Sequence, residues 1–135
     1  MDIRPCGSQP SRQAPAQYFT GVVWQDPIIE APMAPADVRA TVVRFDPGAR
    51  TNWHTHPAGQ TLYIISGIGR VQSGDENVRE VRAGDVVWFP PNTKHWHGAG
   101  PTTNMVHIAI HEALDGMHVD WLEKVSDEQY KAALG

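Results

Sequence analysis

The sequence predicts a single all-β domain, built as a small sandwich or barrel with a short C-terminal helix. Three observations predict it. The chain has 135 residues, a length that fits one core. Glycine and proline interrupt the middle of the chain at short intervals, so helices of ordinary length do not fit there. The segments between these breaks are rich in β-branched and aromatic residues.

Six segments have the composition of short strands. Turn sequences such as Ser73-Gly74-Asp75-Glu76 separate neighbouring segments. Regular spacing of short strands is typical of a sandwich or barrel, and we expect the barrel core over residues 38–111. The predicted strands are residues 38–45, 61–66, 68–72, 77–81, 85–89 and 105–110.

The two ends of the chain differ from this core. Residues 1–17 contain three prolines among Ser, Gln and Gly, so we expect an extended arm over the surface or against a partner chain. Ser126 and Gln129 have the spacing of a capping box, which predicts a short helix over residues 127–134. One domain, residues 1–135, therefore accounts for the sequence.

Charge and composition exclude several function classes. The chain has 11 basic and 15 acidic residues, a net charge of −4, and no cluster of Lys and Arg, so nucleic acid is not an expected partner. Cys6 is the sole cysteine, and residues 1–17 lack the apolar centre of a signal peptide, which favours the cytoplasm. No apolar run approaches the roughly 20 residues of a membrane helix, so we expect no membrane partner.

Histidine pairs are the strongest chemical signal. Alternate residues of a strand project from the same face, so His54 and His56 can bind one ion together. A bend after Pro57 could bring the amide oxygen of Gln60 to that ion, and His95 could complete the set. A histidine pair alone fits equally well with surface or hydrogen-bonded core residues. Six of the seven histidines lie in pairs, which are two residues apart in His54/His56 and His95/His97 and four apart in His107/His111.

The flanks of these residues form two spaced motifs. In the first, Gly48 precedes His54-Thr55-His56 by five residues, and Gln60 and Gly67 follow; in the second, Gly84 precedes Pro90-Pro91-Asn92 and His95. In order and spacing they resemble the two motifs of the cupin family, in which a small β-barrel holds a divalent metal ion. The resemblance implies a double-stranded β-helix, or jelly-roll barrel. It also implies four metal ligands: His54, His56, Gln60 and His95.

This sequence departs from the common cupin pattern at two positions. Gln60 stands where the family usually has Glu, and Asn92 stands where it usually has Gly. Three imidazoles and an amide leave the +2 charge of an ion uncompensated, which strengthens it as a Lewis acid and disfavours ferric iron. We expect one divalent ion, Mn²⁺, with Fe²⁺, Ni²⁺ or Zn²⁺ as alternatives.

Longer segments are similar to small bacterial cupins that act as manganese-dependent hydroxynitrile lyases. Among them are residues 48–51, 94–99 and 119–121. This resemblance implies reversible cleavage of cyanohydrins to an aldehyde or ketone plus HCN. It gives catalytic positions to Thr51, His97 and His107: either histidine could be the general base, and Thr51 could hydrogen-bond the substrate oxygen.

Strand parity adds a prediction about the pocket. Met105, His107, Ala109 and His111 share one face of a strand, and we expect that face inside the barrel. Thr41, Val43 and His111 are the predicted substrate-pocket residues. His118 is expected in a solvated loop and is assigned no role.

Trp53 and Trp96 have the opposite parity to the ligands beside them. We therefore expect them to face away from the metal, in the outer wall or in a subunit interface. The apolar outer segments and the extended N-terminus favour a homo-oligomer, either a dimer or a tetramer, that acts on a small-molecule substrate.

Two other functions stay open at this point. The same four ligands would serve a metal-dependent cupin dioxygenase or isomerase that acts on a small oxygenated molecule. A non-catalytic cupin that binds a small ligand is the third possibility. Metal content and oxygen dependence would distinguish these classes.

Overall fold

The computed structural model describes residues 1–135 and contains twelve strands and one short helix. No helix in it has the length and apolar character needed to cross a membrane. The elements are β1 (Arg12–Gln13), β2 (Phe19–Thr20), β3 (Val23–Ile29), β4 (Val38–Phe45), β5 (Arg50–Thr51), β6 (His54–Thr55), β7 (Gln60–Ser73), β8 (Arg79–Arg82), β9 (Val86–Phe89), β10 (His95–Ala99), β11 (Met105–Glu112), β12 (Asp120–Trp121) and α1 (Asp127–Tyr130).

Two antiparallel sheets share the long strand β7. Sheet I follows the order β1-β3-β4-β11-β7, with β9 on the other side of β7. Sheet II continues from β7 through β10 to β5 and β2, and β8, β6 and β12 join it. The first half of β7 pairs with β11 and β9, and its second half pairs with β10 and β8. This curled arrangement confirms the all-β jelly-roll prediction.

Gly67 lies inside β7, where the sequence predicts a break between two strands. It has a φ of 80°, a conformation that glycine adopts without steric cost. A Cβ at this position would lie 1.9 Å from the carbonyl oxygen of Asn104. The prediction of two strands was wrong because this glycine allows a close backbone crossing within one continuous strand.

Strand β10 is absent from the sequence prediction, although β4 matches its predicted bounds. Its sequence, His-Trp-His-Gly-Ala, has one aromatic residue of the strand-favouring type and no β-branched residue, so the strand-forming signal is weak there. All five residues are nevertheless buried. Pairing with β7, β5 and β6 gives β10 its strand conformation.

The main core lies between the inner faces of the two sheets. Met105, His107 and Ala109 are buried on alternate positions of β11, which confirms the predicted parity. Leu62 and Ile64 on β7 are fully buried on the same side as Gln60. The barrel interior is therefore apolar, except where the histidine and glutamine side chains enter it.

A second apolar cluster lies on the outside of sheet II. It contains Trp53, Val78, Trp96, Val125 and Tyr130. The two tryptophan rings pack edge to face, with centroids 6.5 Å apart. Both face away from the site as predicted, and the chain's own C-terminal segment buries them in the outer wall.

The two ends of the chain are attached to the barrel. Ser126 and Gln129 form the predicted capping box, yet α1 ends at Tyr130, four residues before the predicted end. Leu134 instead bridges to Val78, which draws the chain end onto the barrel. At the other end β1 pairs with β3 of the same chain, so this part of the arm lies against its own sheet.

Candidate metal and active site

A cavity of about 230 Å³ lies between the inner faces of the two sheets. Most of the predicted site residues line it, whereas His95 and His107 do not. No acidic residue, lysine or arginine lies among the lining side chains. The predicted residues in the wall are Thr41, Val43, Thr51, His54, His56, Gln60, His97 and His111.

His54 and His95 are each held by the backbone carbonyl two residues earlier in the chain. Nδ1 of His54 lies 2.9 Å from the carbonyl oxygen of Asn52, and Nδ1 of His95 lies 2.8 Å from that of Thr93. A carbonyl oxygen only accepts, so each neutral ring carries its proton on Nδ1 and a lone pair on Nε2. Both imidazoles therefore have the tautomer that a metal ion requires.

His56 has the same tautomer, but a distant segment sets it. Its Nδ1 donates to the carbonyl oxygen of His118. Its Nε2 is buried without a hydrogen-bond partner. The His56 ring centroid lies 5.2 Å from that of His54 and 5.6 Å from that of His95, so the three imidazoles surround one region of the interior.

Gln60 and His95 present two acceptor atoms to each other. Nε2 of His95 lies 3.1 Å from Oε1 of Gln60, and the ring proton of His95 is on its other nitrogen. Burial lowers the pKa of His95 to about 3, so an imidazolium does not supply a proton between them at neutral pH. A cation bound between these two atoms would replace the repulsion of their lone pairs by attraction. These residues therefore fit a divalent ion.

The tightest cluster of possible ligand nitrogens includes a different histidine. One nitrogen from each of His54, His95 and His97 lies within 4.8 Å of the others. His56 is outside this trio. His97 differs from the other candidates because its Nδ1 contacts a side chain, His107, and not a backbone carbonyl.

His97 and His107 form a buried imidazole pair. Nε2 of His107 lies 2.9 Å from Nδ1 of His97, and the ring centroids are 4.7 Å apart. Nε2 of His97 is buried without a partner, and His97 lines the cavity. His107 does not line the cavity and contacts this wall through His97.

Thr51 joins the site from β5. Its Oγ1 accepts a hydrogen bond from the backbone N–H of His97 at 3.3 Å. The hydroxyl proton is therefore available to another acceptor, and Thr51 lines the cavity. This geometry fits the predicted contact with a substrate oxygen.

His111 and His118 lie together in the cavity wall. Their rings stack with centroids 5.2 Å apart and an interplanar angle of 17°, and His111 also lies 4.8 Å from the His56 ring. Both ring nitrogens of His111 lack partners. The exposed ring of His118 agrees with a solvated loop, but its contact with the site was not predicted, because the contact spans 62 residues of sequence.

A mainly apolar wall completes the cavity, and the sequence did not predict it. Phe19, Val119 and Trp121 line this side, and Gln25 adds a polar group. The Trp121 ring lies 4.7 Å from that of His54 and stacks on Tyr18 at 4.8 Å. These residues come from both ends of the chain, so no local spacing connects them to the histidines.

The interior of the site is electrically neutral at pH 7. Burial is the largest cause lowering the pKa of His54, His56 and His97. Proximity of other histidines lowers the pKa of His54 further, because like charges disfavour protonation. Since no carboxylate lines the cavity, a divalent ion there would keep its full charge.

Comparison with known proteins identifies the family. Residues 41–111 match the family model described as a cupin domain, which spans more than half of the chain. This protein is a cupin. The match covers the strands that carry the histidines and Gln60, and the sequence-based assignment is confirmed.

Several known proteins are similar to this cupin. The (R)-mandelonitrile lyase of Granulicella tundricola is 56% identical over 131 residues, which is 97% of this chain and 99% of that protein. The crystal structure of a cupin-like protein from Thermotoga maritima has a TM-score of 0.85 and 37% identity, covering 97% and 96% of the two chains. An acireductone dioxygenase of Picosynechococcus is 28% identical over 83 residues, 58% of this chain and 47% of that protein.

Proposed function

We propose that this cupin is a metal-dependent hydroxynitrile lyase, which reversibly cleaves cyanohydrins to an aldehyde or ketone and HCN. One observation carries the proposal: an unpartnered histidine nitrogen, Nε2 of His97, is buried in the wall of a cavity that also contains a neutral set of metal-binding side chains. The full-length similarity to a protein named (R)-mandelonitrile lyase supports it.

His54, His56, Gln60 and His95 would hold one divalent ion, for which we expect manganese. Their donors are three imidazole nitrogens and one amide oxygen, a set that suits a first-row transition metal. When bound, the ion supplies Lewis acidity that stabilises developing negative charge. The absence of a carboxylate in the cavity preserves that effect.

His97 is the proposed general base. Its Nε2 would take the proton of the substrate hydroxyl while the carbon–carbon bond breaks and its electron pair leaves with cyanide. The same nitrogen would then return the proton to cyanide, which gives HCN and balances the reaction. His107, bonded to the other nitrogen of His97, is a positioning residue that holds the ring towards the cavity.

The remaining wall would select and orient the substrate. Thr51 would donate its free hydroxyl proton to the substrate oxygen. Phe19, Val43 and Trp121 provide apolar surface for the organic substituent, since apolar contacts favour binding of a hydrocarbon group. Thr41 and His111 occupy other positions on the cavity wall, where they would also contact the organic substituent.

A metal-dependent cupin dioxygenase is the second candidate. The partial similarity to an acireductone dioxygenase favours it, but that similarity spans 58% of the chain against 97% for the lyase. A neutral ligand set also disfavours oxidised iron. Oxygen consumption that requires both Fe²⁺ and an organic substrate would support this candidate.

The decisive experiment measures metal content and cyanohydrin cleavage in the same samples. The wild type is expected to contain close to one manganese per chain and to release benzaldehyde from mandelonitrile without oxygen. His54→Ala should lose both properties. As a matched control, His118→Ala should keep its metal, because its backbone carbonyl still accepts from His56. Metal-loaded wild type that leaves mandelonitrile intact would contradict the lyase proposal.

A further inference from the structure

The side chain of Asn52 is buried beside the candidate site, and the proposed mechanism does not use it. Asn52 lies between β5 and β6 and is 4% exposed. It does not line the cavity, although Thr51 and His54 close to it in the chain do. A buried amide costs free energy unless its polar atoms have partners, so the hydrogen bonds of Asn52 show which segments it connects.

The side-chain amide of Asn52 joins two segments that lie near opposite ends of the chain. Its Nδ2 donates to the carbonyl oxygen of Gln17 at 3.0 Å and to the carbonyl oxygen of Leu122 at 3.0 Å. Two acceptors around one atom need two hydrogens from that atom, which an amide nitrogen supplies and a hydroxyl or a carboxylate does not. Its Oδ1 is buried without a partner, so the nitrogen alone links the two segments.

The backbone of Asn52 adds two hydrogen bonds at the same place. Its N–H donates to the carbonyl oxygen of Tyr18 at 2.8 Å. Its carbonyl oxygen lies 2.9 Å from Nδ1 of His54 and accepts the ring proton. One residue therefore contacts the N-terminal segment, the C-terminal segment and the imidazole of a predicted metal ligand.

The two segments carry the aromatic rings of the cavity wall. Phe19 and Trp121 line the cavity, and each is next in the chain to a residue whose carbonyl Asn52 holds. The Trp121 ring lies 5.5 Å from that of Phe19 and stacks on Tyr18 at 4.8 Å. It also lies 4.7 Å from the His54 ring. Aromatic packing allows a wide range of separations, so the hydrogen bonds of the backbone fix the relative position of these rings.

We propose that Asn52 is a positioning residue that aligns Phe19 and Trp121 with His54 and thereby gives the site a preference for cyanohydrins with an aromatic substituent. The proposal rests on the proposed lyase function. Asn52 acts through the two rings, because its own side chain does not line the cavity. An aromatic substituent gains from stacked or edge contacts with correctly placed rings, whereas a methyl group offers them little surface.

Kinetics of Asn52→Ala on two cyanohydrins test the proposal. The variant keeps both backbone bonds of residue 52, so manganese content should match the wild type. Both segments keep other bonds, including that from Nζ of Lys124 to the carbonyl oxygen of Phe19 at 3.1 Å, so the variant should fold. We expect KM for mandelonitrile to rise about 10-fold, the usual effect of weakened contacts to a substituent. KM for lactonitrile, which has methyl in place of phenyl, should change less than about two-fold.

Two further variants separate positioning from general damage to the fold. Trp121→Leu removes one ring directly and should shift the preference between the two substrates in the same direction. Gln72→Ala is the matched control, because Gln72 also holds a backbone carbonyl, that of Glu76, and an indole, that of Trp96, but lies outside the cavity. It should lower the thermal stability and leave the preference unchanged. Equal losses on both substrates in Asn52→Ala, or an unchanged preference in both Asn52→Ala and Trp121→Leu, would overturn the proposal.

Ligand binding without turnover distinguishes this proposal from the lyase function. Benzyl alcohol titrated into the metal-free protein, followed by the NMR signals of the indole N–H groups, should bind at least about five-fold more weakly to Asn52→Ala than to the wild type. Wild type that cleaves neither cyanohydrin would contradict the lyase function, and weaker binding of benzyl alcohol by Asn52→Ala would still support the positioning role. Equal binding by wild type and Asn52→Ala would overturn that role.

Discussion

The histidines at the site fall into two groups that differ in what their Nδ1 atoms contact. His54, His56 and His95 each donate Nδ1–H to a backbone carbonyl. His97 bonds to another imidazole, and neither nitrogen of His111 has a partner. A backbone carbonyl fixes one tautomer, whereas an imidazole partner can donate or accept. The first group is therefore suited to hold an ion and the second to move a proton.

Replacing His97 tests the proton-transfer group most directly. His97→Ala is expected to lower kcat for mandelonitrile cleavage by about 10²- to 10⁴-fold, the usual contribution of a general base. Because three other imidazoles and Gln60 remain, metal content should stay near that of the wild type. Elemental analysis together with steady-state kinetics checks both. Loss of the metal in this variant would place His97 among the ligands, in agreement with the trio of closely spaced nitrogens.

Acid should destabilise the metal-free protein by protonating histidines that are buried in the folded state. Burial lowers the pKa of His95 and of His107 to about 3, so these rings stay neutral in the folded state while the unfolded chain protonates below about pH 6.5. Their stabilising effect is complete above that pH and is lost progressively as the pH falls towards 3. From pH 7 to pH 5 each should cost about 2 kcal/mol of unfolding free energy.

Urea denaturation at the two pH values measures that loss. His107→Gln removes one of the titrating groups, so its stability should depend less steeply on pH than that of the wild type. An equal pH dependence in wild type and variant would show that His107 is not neutral and buried as the structure places it.

Replacing His107 should affect proton transfer without affecting metal binding. His107→Asn removes the imidazole that contacts Nδ1 of His97, and we expect kcat to fall about 10- to 100-fold, as for loss of an orienting partner. KM and manganese content should be unchanged. His107→Gln, whose longer amide can approach His97 more closely, should restore part of kcat. A change confined to KM would contradict a positioning role.

Replacing His111 should affect catalysis least among these substitutions, because no other residue depends on a hydrogen bond from its ring. His111→Gln keeps a polar side chain at the cavity wall and is expected to change KM for mandelonitrile by only a few-fold, about 1 kcal/mol or less. Kinetics on substrates with small and large substituents would show whether the change follows substrate size. A loss of kcat as large as that of His97→Ala would contradict this expectation and show that His111 itself transfers the proton.

Several features of the fold follow from local sequence alone. The limits of β4, the alternation of buried residues on β11 and the capping box of Ser126 and Gln129 all depend on contacts within a few residues. The local bonds of His54 and His95 are similar, because each ring reaches the carbonyl two residues before it. Spacing along the chain thus determines the candidate ligands and two of their tautomers.

Other features depend on contacts between distant segments. β10 becomes a strand through its neighbours, and Gly67 continues a strand that its sequence would end. The orientation of His56 depends on the carbonyl of His118, and His107 lies behind His97 and not in the cavity wall. Periodicity gives the side of a strand on which a residue lies but not the chain that packs against it.

The sequence by itself therefore determined the all-β fold and the interior face of β11, and it predicted the candidate histidine and glutamine ligands. Only the tertiary structure decided which imidazole faces the cavity, which aromatic residues enclose it, and which outer face the C-terminal segment covers. The physical reason is the range of the interactions: local hydrogen bonds and alternation depend on neighbours in sequence, whereas burial depends on segments that meet only when the barrel closes.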